Sequence, residues 1–296
     1  MTARRVLIAV LCTGLLATGC TSTPEPSAAV SPPAAPVAPS ASASASVRLP
    51  PAAPPPVPTP STYLALGDSV AAGVGAAAPA TGGYVPLLAG LLSERLGCDA
   101  RPAPGCPLSV RNLAQSGATT ATLLRGQMPQ ALELLRTAPD VRLVTLTIGG
   151  NDVVETAIGA CAPDPRAQAC SDAVVASVRR ADQGIDEVLR TLTAAAGPDT
   201  TVAVMTYYNP TFACQLASLQ PLAERVLEGA GQQPGLNDIL RARAADHSAL
   251  VVETRERLNA RADFVGGNDC LHPSGAGHAR IAEAFVGVVG EPVTRG

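Results

Sequence analysis

The sequence predicts an α/β domain, a parallel sheet covered by helices on both sides. Three observations carry that expectation. Short apolar runs of strand length alternate with longer stretches of helical spacing. The clearest runs stop at glycines or polar turns, as strands buried in a parallel sheet do. The region holding them, Ser61–Gly296, is about 236 residues long, enough for one domain with a substantial core.

Thr62–Leu66 is a short apolar run that stops at Gly67 and reads as a buried strand. Val85–Leu96 follows as a helix, with Leu87, Leu88, Leu91, Leu92 and Leu96 on one broad face. Val110–Ala114 is a second strand. Ala118–Arg136 has helical spacing, and an interruption is expected around Gly126 and Pro129, because proline removes a donor and crowds the preceding turn. Val141–Ile148 is the clearest strand and runs straight into Gly149-Gly150. A long helix over Ser171–Ala196, a strand over Thr201–Tyr207, a helix over Leu236–Asp246, a strand over Ala249–Val252 and a closing helix over Ser274–Val289 complete the series. The stretches 76–83 and 209–235 read as loops. Tyr207 and Tyr208 close a strand at its carboxyl end, where lining a pocket is open to them and packing is the expected role. Sites in open parallel sheets lie at the carboxyl ends of the strands, so the chemistry is expected just after these runs.

Ahead of the domain, composition changes twice. Arg4 and Arg5 precede an apolar run, Val6–Ala17, too short to span a bilayer but suited to a secretory signal. The run ends in Leu16-Ala17-Thr18-Gly19-Cys20, which resembles the lipobox of bacterial lipoproteins, with Ala17 where leucine is commoner. Residues 1–20 are thus expected to be a lipoprotein signal and Cys20 the lipidated residue. An ordinary cleaved signal is the alternative, which would leave the protein secreted. Acyl chains on Cys20 would hold it at the outer face of the cell membrane. Residues 21–60 contain 13 of the 28 prolines, with only Glu25 and Arg48 charged and no periodic apolar face. Such a segment buries too little surface to order itself. It reads as a disordered, partly polyproline II spacer of up to about 120 Å at about 3.1 Å per residue.

Composition excludes other classes. The net charge is −3 with no recurring basic stretch, so a nucleic acid partner is not expected. There is no tryptophan, and 4 Tyr with 3 Phe make a poor stock of stacking platforms. No glycine cluster completes a nucleotide-binding fingerprint, no cofactor is expected, and the protein is expected to be a monomer. Of 8 cysteines, setting aside Cys12 and Cys20 leaves Cys98, Cys106, Cys161, Cys170, Cys214 and Cys270, an even set in an exported domain. Close spacing favours Cys98–Cys106 and Cys161–Cys170, which leaves Cys214–Cys270. Metal ligation competes poorly, since no Cys-x-x-Cys pair or flanking His supports it.

Four segments carry chemistry. Gly67-Asp68-Ser69 follows the first strand, where a hydroxyl stands proud of the sheet edge. Asp269-Cys270-Leu271-His272-Pro273 lies near the far end, its carboxylate and imidazole three residues apart, close enough for one turn to hold them together. Serine needs a base to take its proton, and the base needs an acceptor to fix its tautomer. Asn112-Leu113-Ala114-Gln115-Ser116-Gly117 and Gly150-Asn151-Asp152 follow two further strands. There, a glycine N–H and an asparagine amide are neutral donors suited to an oxyanion. Helix caps and turns are the plainer uses of Ser69, Gly117, Asn151 and Asp152.

In this order the four segments resemble the SGNH hydrolase superfamily, also called GDSL lipases and esterases, over Thr62 to about His278. The resemblance implies a flavodoxin-like three-layer α/β/α fold with a five-stranded parallel sheet. It implies Ser69 as nucleophile, His272 as general base and acid, and Asp269 as its partner. It places the Ser69 N–H, the Gly117 N–H and the Asn151 side chain in an oxyanion hole. Exported relatives often carry three sequential disulfides, in agreement with the pairing above. The expected function is cleavage of a small-molecule or lipid carboxylic ester. Carbohydrate O-acetyl esters, or a surface lipoprotein that only binds, are the alternatives.

Overall fold

A computed structural model of the chain describes residues 60–98, 105–138, 140–161, 163–215 and 217–294. The signal, Cys20 and the linker up to Thr59 lie outside these residues, as does the side chain of Cys106.

Five parallel strands form the central sheet: β1 (Pro60–Gly67), β2 (Gly105–Asn112), β3 (Val141–Thr147), β4 (Thr201–Met205) and β5 (Leu250–Val252). Their order is β2-β1-β3-β4-β5. This is the flavodoxin-like order, and the fold is a three-layer α/β/α sandwich. The central strands β1 and β3 are buried almost throughout, with Leu64 and Leu66 facing Val144 and Leu146 in register. Because β1 is followed by a strand on one side of it and all later strands lie on the other, right-handed crossovers send the first helix to one face and the next to the opposite face.

The helices obey that rule. On one face, α2 (Tyr84–Arg95) packs against α8 (Gly275–Thr294), and Tyr84 stacks on Phe285 with ring centroids 5.1 Å apart. On the other lie α3 (Thr120–Thr137), α5 (Gln168–Ala195) and α7 (Leu236–Asp246). Helix α5 forms because Val174, Val178, Ala181, Ile185, Val188, Leu189 and Leu192 recur at helical spacing and are buried together. Short α1 (Pro79–Gly82), α4 (Gly150–Cys161) and α6 (Gln220–Glu228) complete the helices, and an antiparallel pair, β6 (Phe264–Gly266) and β7 (Asp269–Pro273), forms a second sheet.

Several expectations are corrected. Helix α3 is continuous through Pro129. Pro129 sits on its exposed face, so the carbonyl that loses a donor looks toward water, while the Gln130 amide donates to Gly126 O at 3.1 Å. The second strand begins at Gly105, earlier than expected. The presumed loop at 209–235 contains α6, and α4 fills a stretch to which the sequence assigned no helix. Asp269 and His272 sit on a strand, not in an isolated turn.

Two disulfides are present as expected, Cys161–Cys170 joining α4 to α5 and Cys214–Cys270 holding β7. Cys98 is also disulfide-bonded. No helix among the described residues is long and apolar enough to cross a membrane.

Candidate active site

The end of β1 is held from three directions. Gly67 has φ of +140°, and a Cβ there would lie 2.2 Å from Thr147 O at the end of β3, so only glycine lets the two strand ends approach. Buried Gln127 of α3 grips the same residue through both of its peptide groups: Gly67 N–H donates to its Oε1 and its Nε2 donates to Gly67 O, both at 2.8 Å. Next comes Asp68, 2% exposed, accepting from Val70 N at 3.0 Å, from Thr147 Oγ1 at 2.9 Å and from the Tyr207 hydroxyl. Burial raises the Asp68 pKa above its ordinary value, opposed by those hydrogen bonds and by the His272 imidazole. Burial and the Asp68 carboxylate hold the Tyr207 phenol well above its usual value, which keeps it a donor.

This framework presents Ser69 at the carboxyl edge of the sheet. Its Oγ lies 2.9 Å from His272 Nε2, and His272 Nδ1 lies 2.8 Å from Asp269 Oδ2. A carboxylate only accepts, so Nδ1 carries the proton and Nε2 faces the hydroxyl as acceptor. The other Asp269 oxygen accepts from Leu271 N at 2.9 Å and His272 N at 3.0 Å. Burial works to raise the Asp269 pKa, but these two N–H groups and the imidazole outweigh it and hold the carboxyl below its ordinary value. The Cys214–Cys270 disulfide fastens the residue beside Asp269.

The remaining sequence candidates lie around this core. Asn151, at the start of α4 after β3, faces the same cavity as Ser69 and donates from Nδ2 to Ala118 O at 2.9 Å. Gly117, with φ of +76°, precedes that carbonyl but does not itself line the cavity. Among the described residues no group accepts from the N–H of Ser69 or Gly117. Asp152 does a different job: it accepts from Thr120 N at 2.9 Å and Thr120 Oγ1 at 2.6 Å, capping α3 from a neighbouring helix. Asn112 ties β2 to the loop that carries Ser69, its amide donating to Ala71 O at 2.7 Å.

Sequence reasoning missed Gln127 and Thr147, which no local pattern singles out. Tyr207 and Tyr208 fill both roles open to them, buried in the core and lining the cavity. That cavity, of about 780 Å³, opens beside Ser69, Asn151 and His272 and is otherwise mostly apolar.

Fold and site together define a class: a hydrolase on a flavodoxin-like sheet, with a hydroxyl, an imidazole and a carboxylate joined at the topological switch point between β1 and β3. The chain belongs to the GDSL-like lipase/acylhydrolase family, which it matches over residues 65–280, and is accordingly a carboxylic ester hydrolase. Among solved structures, the lipase Lip_vut3 from goat rumen metagenome superposes with a TM-score of 0.57 at 21% identity, over 77% of this chain and 96% of that one. The extracellular lipase from Streptomyces rimosus superposes with a TM-score of 0.50 at 20% identity, over 77% of this chain and 99% of that one. At such identities these likenesses concern the fold. No curated protein matches the chain by sequence.

Proposed function

We propose that this enzyme cleaves carboxylic esters through an acyl-enzyme on Ser69. The observation that carries the reading is the unbroken hydrogen-bonded series from Ser69 Oγ through His272 to Asp269. Ser69 Oγ bonds to the acyl carbon as His272 Nε2 takes its proton. The tetrahedral oxyanion faces the Ser69 N–H and the Asn151 amide, with the Gly117 N–H, set back from the cavity lining, as the third neutral donor that favours charge arising only in the transition state. Collapse breaks the bond to the alcohol oxygen, which leaves with the proton from His272. Water, deprotonated by His272, then attacks the acyl carbon, and breaking the acyl–Oγ bond releases the acid and regenerates Ser69. Asp269 keeps the ring in the productive tautomer and stabilises the imidazolium.

The apolar leader, Cys20 and the proline-rich spacer support an exported enzyme, lipid-anchored through Cys20 and held off the membrane. A Cys20→Ser chain found still in the membrane fraction would argue against the anchor. For the chemistry, Ser69→Ala is expected to lower turnover of a nitrophenyl butyrate by at least about a thousandfold. It should also abolish labelling by a fluorophosphonate. Undiminished hydrolysis by that variant would overturn the assignment.

A further inference from the structure

The cavity beside Ser69 has a direction. It starts at Asn151, at the amino end of α4, and its lining continues along Val153 and Val154 to Cys161, the last residue of that helix. From Asn151 to Cys161 the helix rises about 15 Å at about 1.5 Å per residue, roughly the length of ten to twelve extended methylenes. The facing wall is α6, whose Leu222 and Val226 line the cavity, with buried Leu236 of α7 beyond them.

The outer side of α6 is polar and fastened. Glu224 and Glu228 both pair with Arg255, and Glu228 also meets Arg241 at 3.2 Å. The inner side is the apolar face of an amphipathic helix, where Val226 and Leu227 belong to the core and also line the cavity. Away from the reacting edge, Thr211, Gln215 and Asn268 are the polar side chains of the lining, and all three lie close in sequence to the Cys214–Cys270 disulfide. Beyond Asn151 at the reacting edge, the α4 and α6 residues of the lining offer, among the described residues, no hydrogen-bonding side chain with which to hold a sugar.

Building on the assignment of Ser69 as nucleophile, we propose that the α4–α6 cleft is the acyl subsite, that the length of α4 limits it to a linear aliphatic chain of up to about twelve carbons, and that α6 is the wall against which the longer chains pack. An acetyl group would leave the cleft empty. Each methylene that enters leaves water for apolar walls, so catalytic efficiency rises with chain length until the far end of α4 is reached.

A series of nitrophenyl esters from acetyl to dodecanoyl tests this on the whole enzyme. The expected result is a rise in kcat/KM of up to about fourfold per added methylene. Val226→Phe and Leu222→Phe, which narrow the cleft from α6, should each lower the decanoyl-to-butyryl ratio of kcat/KM by at least about tenfold. Leu222 is only half-buried, so its variant carries the test if Val226→Phe fails to fold. A flat or falling series from an active enzyme, or preferential release of acetate from acetylated xylo-oligosaccharide, overturns the acyl subsite while leaving the chemistry of Ser69 standing. An unchanged ratio in both variants overturns the role of α6. No turnover of any ester would instead bring down the assignment of Ser69, and the subsite with it.

Discussion

At the scale of single residues, the least expected feature is the carboxylate next to Ser69. Asp68 is buried with three neutral donors and no cation hydrogen-bonded to it among the described residues. Its neighbour Tyr207 is locked in turn, because Asn237 accepts from Tyr207 N at 2.7 Å and donates to Tyr207 O at 2.8 Å. Removing the phenol oxygen strands one Asp68 oxygen in an apolar setting. Tyr207→Phe is therefore expected to cost about 1–3 kcal/mol of stability. It should depress kcat more than it alters KM, since the loop that aims Ser69 loses its brace. Denaturant titration beside ester kinetics checks both, and unaltered stability would show that Asp68 needs no donor from Tyr207. Ser69, Asp269, His272 and Asn151 were legible because each lies in a short motif. Gln127, Thr147 and Tyr207 were not, because their contacts to Gly67 and Asp68 span 60, 79 and 139 residues.

Among the elements, β7 has the most consequence for its size. It is five residues long and pairs, among the described residues, only with β6, yet it bears both Asp269 and His272. So short a ribbon has little stability alone. The Cys214–Cys270 disulfide supplies a covalent anchor at the residue between them. Cys214→Ser combined with Cys270→Ser is expected to lower kcat by about tenfold or more while far-ultraviolet circular dichroism stays unchanged, because no strand of the main sheet is touched. Full activity in the double variant would show that packing alone holds β7. The elements α5, α7 and β3 were legible because their apolar periods are sustained. Helices α4 and α6 were not: a helix of 12 or 9 residues owes its stability to what its apolar face meets. Here those faces meet a cavity that no local pattern announces.

For the molecule as a whole, stability should depend on pH through a histidine outside the chemistry. His278 of α8 is fully buried, accepts from Tyr84 N at 3.3 Å through Nδ1 and donates to Val74 O at 2.9 Å through Nε2. It joins α8 to the start of α2 and to the nucleophile loop in a neutral form. Burial chiefly, with the charge of His272, lowers its pKa from 6.5. The unfolded chain therefore takes up this proton first, so stability is complete above the unfolded value and declines as pH falls from 6.5 toward the folded one. Asp269, also depressed, adds a loss at lower pH, as its folded value is passed. Asp68, raised, acts in the opposite sense, its burial costing least when protonated. A falling melting temperature between about pH 7 and about pH 5 is expected, and His278→Gln should flatten that step. A step of undiminished size in the variant would assign it elsewhere. By itself the sequence determined the alternation of strands and helices and the residues offered for the reaction, because period and motif are local properties of the chain. The tertiary structure alone decided which groups brace Ser69 and which helices wall the cavity. Both depend on the order β2-β1-β3-β4-β5, which sets Tyr207 after β4 against Asp68 after β1 and leaves α4 and α6 facing each other across open space.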